Sequence, residues 1–148
     1  MFKGWRVVDA VTDESHFFAL GLQVRDDPRL GLRANLREDI LLRDTGVTRD
    51  GNNVLVKMIA VRSSFEPNKI EVTQGEHVTI YLTNIEQTTD ELHGFGLGEY
   101  NLNVVVDPGE MKVIDFVADK TGVFPYYCTN FCSALHQEMQ GYLLVKPK

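Results

Sequence analysis

The sequence predicts an all-β domain, an antiparallel sandwich, preceded by an irregular N-terminal extension. Three observations predict it. Hydrophobic residues recur with a period of two from Val54 onward, the runs are short and bounded by turn residues, and no convincing long helix interrupts them.

The elements follow in order. Val54 to Val61 is a strand-like apolar run. Ile70 and Val72, then Val78, Ile80 and Leu82, alternate with polar residues on either side of a turn at Gln74-Gly75. Val104 to Val106 ends at Asp107-Pro108-Gly109, a sequence with both proline and glycine turn chemistry. Val113 to Ala118 alternates again, and Asp119-Lys120-Thr121-Gly122 turns the chain into Val123 to Tyr127. Gly141 precedes a last strand, Tyr142 to Val145.

The pattern changes near Asn52-Asn53, so residues 1–52 read as a linker or N-terminal extension and residues 53–148 as the domain. In the first part Asp26-Asp27-Pro28 breaks the chain, and Gly21, Gly31, Gly46 and Gly51 punctuate it. Leu32, Leu36 and Ile40 form one stripe of a short helix over Leu32 to Leu42. Trp5, Phe17 and Phe18 suggest that the extension packs on something.

A chain of 148 residues with 43% hydrophobic residues and eight Phe has enough apolar material for one packed core. Its net charge of −6 argues against nucleic acid or anionic lipid as the main partner. The acidity is concentrated after Asn53, where 7 Lys+Arg face 12 Asp+Glu, a balance that suits a basic protein partner. No apolar run reaches the roughly 18 residues of a membrane span. Met1 to Ala10 lacks the apolar centre and cleavage site of a secretory signal, so the chain carries no address of its own.

The chemistry is concentrated in Tyr126-Tyr127-Cys128-Thr129-Asn130-Phe131-Cys132-Ser133-Ala134-Leu135-His136-Gln137-Glu138-Met139. Two thiols, an imidazole and a thioether stand in the pattern C-x3-C-x3-H-x2-M. These soft donors favour copper, zinc or iron–sulfur centres over magnesium or calcium. A disulfide between the two cysteines would close a very small loop and explain none of the neighbours. On a helix, Cys128, Cys132 and His136 would share one face and hold a tetrahedral zinc with a distant histidine. Methionine is foreign to such zinc sites and familiar as a weak axial ligand of copper. A mononuclear blue-copper site leaves one cysteine unused, whereas two thiolates bridging two coppers use both. That arrangement asks for a second histidine. Of the four in the sequence, His16 lies in the extension and His77 reads as a surface residue, which leaves His93. Gly94 beside it would let the backbone approach a ligand loop closely.

Asp90-Glu91-Leu92-His93-Gly94-Phe95, Val123 to Cys128 and Cys132 to Gly141 resemble the C-terminal CuA domain of nitrous-oxide reductases. More distantly they resemble the CuA domain of subunit II of haem–copper oxidases. The resemblance covers roughly Asn53 to Pro147, and Asp26-Asp27-Pro28 resembles the segment ahead of that domain. Phe65-Glu66-Pro67 with the strands after it also looks like the start of a cupredoxin. The resemblance implies a cupredoxin-like antiparallel Greek-key β-sandwich. It further implies a binuclear mixed-valence CuA centre in which Cys128 and Cys132 bridge two copper ions. His93 and Met139 would complete one copper, and His136 with the main-chain carbonyl of Asn130 the other. The family more often has Trp at the Asn130 position, and the oxidase has Glu; a main-chain ligand tolerates the change.

The function so implied is one-electron transfer. A c-type cytochrome or small cupredoxin would dock near His136, and the electron would go on to the catalytic copper centre of the reductase. That centre is held by seven histidines on a propeller domain, more than the four of this sequence, so the chain alone is expected not to be an enzyme. The family also implies the periplasm and a homodimer for the full enzyme, with a monomer plausible for this chain. Tyr126, Tyr127 and Phe131 read either as walls of the site against water or as ordinary core aromatics. Asp90, Glu91, Glu99 and Glu138 could steer a basic partner, though solvated surface is their default reading. The rival readings are a free-standing electron carrier, a copper-handling chaperone, and a zinc or disulfide-bearing binding module.

Overall fold

The computed structural model describes residues 45–148. The helix expected over Leu32 to Leu42, the packing of Trp5, Phe17 and Phe18, the Asp26-Asp27-Pro28 break and His16 lie outside the described residues.

Among the described residues, ten strands form two sheets. They are β1 (Gly46–Asp50), β2 (Asn53–Val61), β3 (Ser64–Glu66), β4 (Lys69–Thr73), β5 (His77–Asn84), β6 (His93–Leu97), β7 (Leu102–Val106), β8 (Met111–Val117), β9 (Gly122–Tyr127) and β10 (Gln140–Lys146). The first sheet runs β1-β2-β5-β8 with β3 paired to β2, and the second runs β4-β10-β9-β6-β7. The sandwich expected from the period-two pattern is therefore present. Two neighbouring pairs, β2 with β5 and β4 with β10, run parallel within the otherwise antiparallel ladders. Such pairs arise because the chain crosses between sheets instead of turning back on itself.

The alternation seen in the sequence sets the core. On β5, Val78, Ile80 and Leu82 are buried, and on the neighbouring β2 Val54, Val56, Met58 and Ala60 lie beside them on the same face of the sheet. The second sheet contributes Ile70, Val72, Phe95, Leu97, Tyr126, Leu143 and Val145. Phe65, Phe95 and Tyr126 form an aromatic cluster with centroids 5.2–5.8 Å apart. Offset and edge contacts of this kind add about 0.5–1.5 kcal/mol per pair beyond burial. The Tyr126 hydroxyl donates to the Pro67 carbonyl at 2.7 Å, so its polar tip is satisfied. Burial pushes its phenol well above the ordinary tyrosine range. Among the described residues no buried side-chain nitrogen or oxygen lacks a partner, and no helix is long and apolar enough to cross a membrane.

β1 lies ahead of residue 53, where the sequence pattern changes. It pairs with β2 in register from Gly46↔Lys57 to Asp50↔Asn53. Gly51 turns that hairpin at φ 58°, a left-handed conformation that glycine adopts at little cost. Thr48, Arg49 and Asp50 are exposed, so this edge strand carries no inward apolar alternation for a sequence pattern to detect.

Asn84 ends β5 at an inward position and is fully buried. Its side-chain amide donates to the carbonyls of Glu91 and Val106 at 2.9 and 3.1 Å, and its oxygen accepts the Glu86 N–H at 3.0 Å. One buried amide thus ties the β5–β6 connection at both ends and fixes where β6 begins. The first residue of β6 is His93.

Candidate metal centre

The cluster forms at one end of the sandwich, where β6 starts and β9 stops. His93 pairs with Val106 across the β6–β7 ladder and is fully buried. Cys128 directly follows β9, and its N–H donates to the Met139 carbonyl at 2.9 Å, which extends the β9–β10 ladder by one rung. Between Cys128 and Met139 the chain forms a loop. Its only regular piece is a single 3-10 turn at His136–Glu138, so the cysteines do not share a helical face. Within the loop the hydroxyl of Ser133 accepts the Leu135 N–H at 3.1 Å, and the Ser133 carbonyl accepts the His136 N–H at 3.1 Å.

Gly94 explains how loop and strand come so close. The Thr129 N–H donates to the Gly94 carbonyl at 3.3 Å. A β-carbon at Gly94 would stand 2.6 Å from Asn130 Oδ1 and overlap Thr129 Oγ1. Only a residue without a side chain lets the ligand loop lie against β6.

The side chains singled out in the sequence converge here. The nearest donor atoms of His93, Cys128 and Cys132 all lie within 4.8 Å of one another. Cys128 Sγ is 3.9 Å from His93 Nδ1 and 3.9 Å from Cys132 Sγ. Cys132 Sγ is in turn 3.9 Å from His136 Nδ1 and 3.7 Å from the fully buried Met139 Sδ. The Asn130 carbonyl oxygen stands 3.1 Å from Cys128 Sγ, so the main chain and not the Asn130 side chain faces the cluster. Both cysteines are free thiols, their sulfurs far beyond the roughly 2.05 Å of a disulfide. His77 is exposed at the start of β5, away from the cluster.

The donors fit a soft first-row metal. Atoms that share one such ion at about 2.0–2.3 Å stand somewhat under twice that distance apart, as these do. Thiolate, imidazole and thioether together are a copper set. Burial pushes the Cys128 thiol up, but the His93 imidazole and the Gly94 and Asn130 backbone outweigh it and bring the thiol down from 9.0 to about 7. Burial and the adjacent Cys128 push the Cys132 thiol above its ordinary value, against an opposing pull from the Ser63 backbone and the Ser133 side chain. One thiol is therefore ready to ligate near neutrality, and the other needs a cation to deprotonate it.

Three surrounding features were not read from the sequence. Glu86 Oε1 is 3.3 Å from His93 Nε2, on the side of the ring away from the sulfurs. Asn84 holds Glu86, and an inward asparagine closing an alternating strand was the available signal. Ser63, in the β2–β3 turn, meets Ser133 at 2.9 Å across 70 residues, for which no local signal exists.

The three aromatics read as walls or core separate in the structure. Tyr126 belongs to the core, but Tyr127 is half exposed, and Phe131 is 79% exposed and tilts over His136 at 5.9 Å. Of the acidic residues, Glu91 pairs with Arg62 and Glu99 with Lys120.

Residues 43–145 match the model of the cupredoxin-like domain. The chain belongs to the cupredoxin-like family. Over 104 residues it is 41% identical to a nitrous-oxide reductase of Cupriavidus necator, a match covering 70% of this chain and 16% of that protein. This cupredoxin-like chain therefore corresponds to a small part of the reductases it resembles. It is 33% identical to a cytochrome c oxidase subunit 2 of Thermus thermophilus over 95 residues, 64% of this chain and 67% of that one. Among solved structures, a chain of a heme-copper terminal oxidase dimer superposes with a TM-score of 0.59 at 25% identity. That superposition covers 70% of this chain and 71% of the other.

Proposed function

We propose that this cupredoxin-like domain is an electron relay whose centre is a CuA site. His93, Cys128, the Asn130 carbonyl, Cys132, His136 and Met139 would hold two copper ions. The observation that carries the reading is the pairing of donors: two free thiols 3.9 Å apart, each with its own imidazole nitrogen at 3.9 Å. A single blue-copper ion would leave one of these thiols without a role. Two copper ions held by these residues would supply a one-electron redox couple.

The protein's own residues do the rest. The β6–β7 and β9–β10 ladders hold His93 and Cys128 in place and keep water from one side of the cluster. Phe131, 79% exposed, and Leu135, 60% exposed, flank the half-buried His136 and give a redox partner an apolar landing. That partner is a c-type cytochrome or small cupredoxin. The electron leaves for the catalytic copper centre of a nitrous-oxide reductase, on its propeller domain, across a homodimer in the periplasm. The domain itself passes electrons and does not reduce substrate, because the proposed centre has no open position for one.

Copper loading followed by optical and electron paramagnetic resonance spectra tests this. A purple species, two coppers per chain and hyperfine coupling to two equivalent nuclei are expected. A colourless zinc protein, or one copper per chain, would sink the reading.

A further inference from the structure

The centre is flanked by a turn that reaches residues around several of its parts. Arg62 and Ser63 form the two-residue turn between β2 and β3, with Val61 paired to Ser64. Ser63 sits at φ 70°, unusual for a residue other than glycine, and this conformation points the turn at the ligand loop. The Arg62 N–H donates to Glu86 Oε1, the atom that faces His93 Nε2 at 3.3 Å. The Arg62 guanidinium pairs with Glu91, two residues before His93. The Ser63 hydroxyl meets the Ser133 hydroxyl at 2.9 Å, and Ser133 directly follows Cys132 in the ligand loop.

We infer that Glu86, Ser63 and Ser133 are positioning residues that set the reduction potential of the centre from two opposite directions. The Arg62–Ser63 turn links the two. This rests on the copper reading above and goes beyond it. In the copper-loaded protein the Glu86 carboxylate would accept the Nε2 proton of His93, leaving Nδ1 unprotonated to face the metal. A carboxylate in that place makes the imidazole a stronger donor, which favours the oxidised metal. On the other side the joined hydroxyls of Ser63 and Ser133 stand beside Cys132, where Ser133 can donate to the sulfur. Donation to a thiolate withdraws electron density from it and favours the reduced metal. Both routes meet at one two-residue turn, so Arg62 and Ser63 hold the balance between them.

The two directions give the test. Copper-loaded wild type, Glu86→Gln, Ser133→Ala and Ser63→Gly are compared by spectrum and by midpoint potential. Glycine suits the positive φ at position 63, so that variant removes the hydroxyl without straining the turn. Glu86→Gln is expected to raise the potential, Ser133→Ala to lower it, and Ser63→Gly to lower it by less. Glu86→Ala, which loses the acceptor altogether, is expected to weaken copper retention by about 10–100-fold. Shifts of the same sign in the two directions, or potentials indistinguishable from wild type, overturn the inference. A wild-type protein without a two-copper signal would instead overturn the copper reading, so the two failures are separable. Should Glu86→Gln fail to load, nitrogen-15 spectra of the reduced wild type still decide. A slowly exchanging proton on His93 Nε2 supports the inference, and its absence overturns it.

Discussion

The two histidines of the centre stand in opposite settings. His93 is fully buried at the head of β6, fixed by a ladder on one side and by Glu86 behind it. His136 is half-buried in a single 3-10 turn, overlain by an exposed phenylalanine. The cysteines repeat the contrast, Cys128 continuing a strand and Cys132 riding the loop. One half of the centre is framework and the other is surface. The proposed relay would use both, because a rigid frame limits rearrangement on electron transfer while an accessible edge would let a partner come near.

The largest expected effect tests whether the halves form one centre. Cys128→Ser and Cys132→Ser should each abolish the two-copper spectrum, since either loss removes a shared donor. Survival of the coupled signal in one of them would show that its half is dispensable. Next comes Gly94→Ala, aimed at the seam between strand and loop. Its new methyl would meet Thr129 and Asn130, so the loop must shift or the strand must bend. Overpacking of this kind costs about 1–3 kcal/mol. A lower melting temperature and weaker copper loading are expected together, and an unchanged melting temperature would show that the seam is slack.

How much of this was legible depends on how local each signal is. Val78, Ile80 and Leu82 announce their strand because one face is buried and the other is not. β1 does not announce itself, since Thr48 to Asp50 are exposed and only Gly51 marks its hairpin. The parallel pairing of β2 with β5 is set by how the chain crosses between sheets, which no alternation encodes. The cluster was legible because soft side chains at fixed spacing are rare, and His93 because a second imidazole was needed and His16 and His77 read as lying elsewhere. Ser63 was not, for its partner is 70 residues away. Phe131 was misread for a related reason: the aromatic pattern around Tyr126 and Tyr127 says nothing about which way a loop turns.

Smaller effects sharpen the contrast further. Met139 is fully buried beside Cys132, so Met139→Leu keeps the volume and should cost less than about 1.5 kcal/mol. The copper content should stay at two while the potential moves, as expected for a weak axial donor. Loss of a copper would place Met139 among the strong ligands instead. On the open face, Phe131→Ala and Leu135→Ala should change stability by no more than about 0.5 kcal/mol. They should nonetheless slow bimolecular electron transfer several-fold, read by stopped-flow mixing with a reduced cytochrome c. Unchanged rates would move the docking surface elsewhere on the domain.

The smallest effect is a pH dependence of the metal-free protein, and it again separates the two halves. The Cys128 thiol is held at about 7, below its ordinary value of 9.0, while Cys132 is raised. A depressed folded value means that Cys128 contributes stability in full above the unfolded value near 9, and loses it as pH falls through about 7. Cys132 has the opposite sign: its contribution is present below the unfolded value and is lost as pH rises through its higher folded one. Stability of the metal-free domain should therefore climb between about pH 7 and 9, then turn down. Thiolate absorbance in the ultraviolet should show one group titrating near 7 and a second above 9. The climb should vanish in Cys128→Ser and persist in Cys132→Ser. Two thiols that titrate together would mean that His93 and the Gly94 and Asn130 backbone do not distinguish them, and that the framework half is less set apart from the loop than the geometry implies.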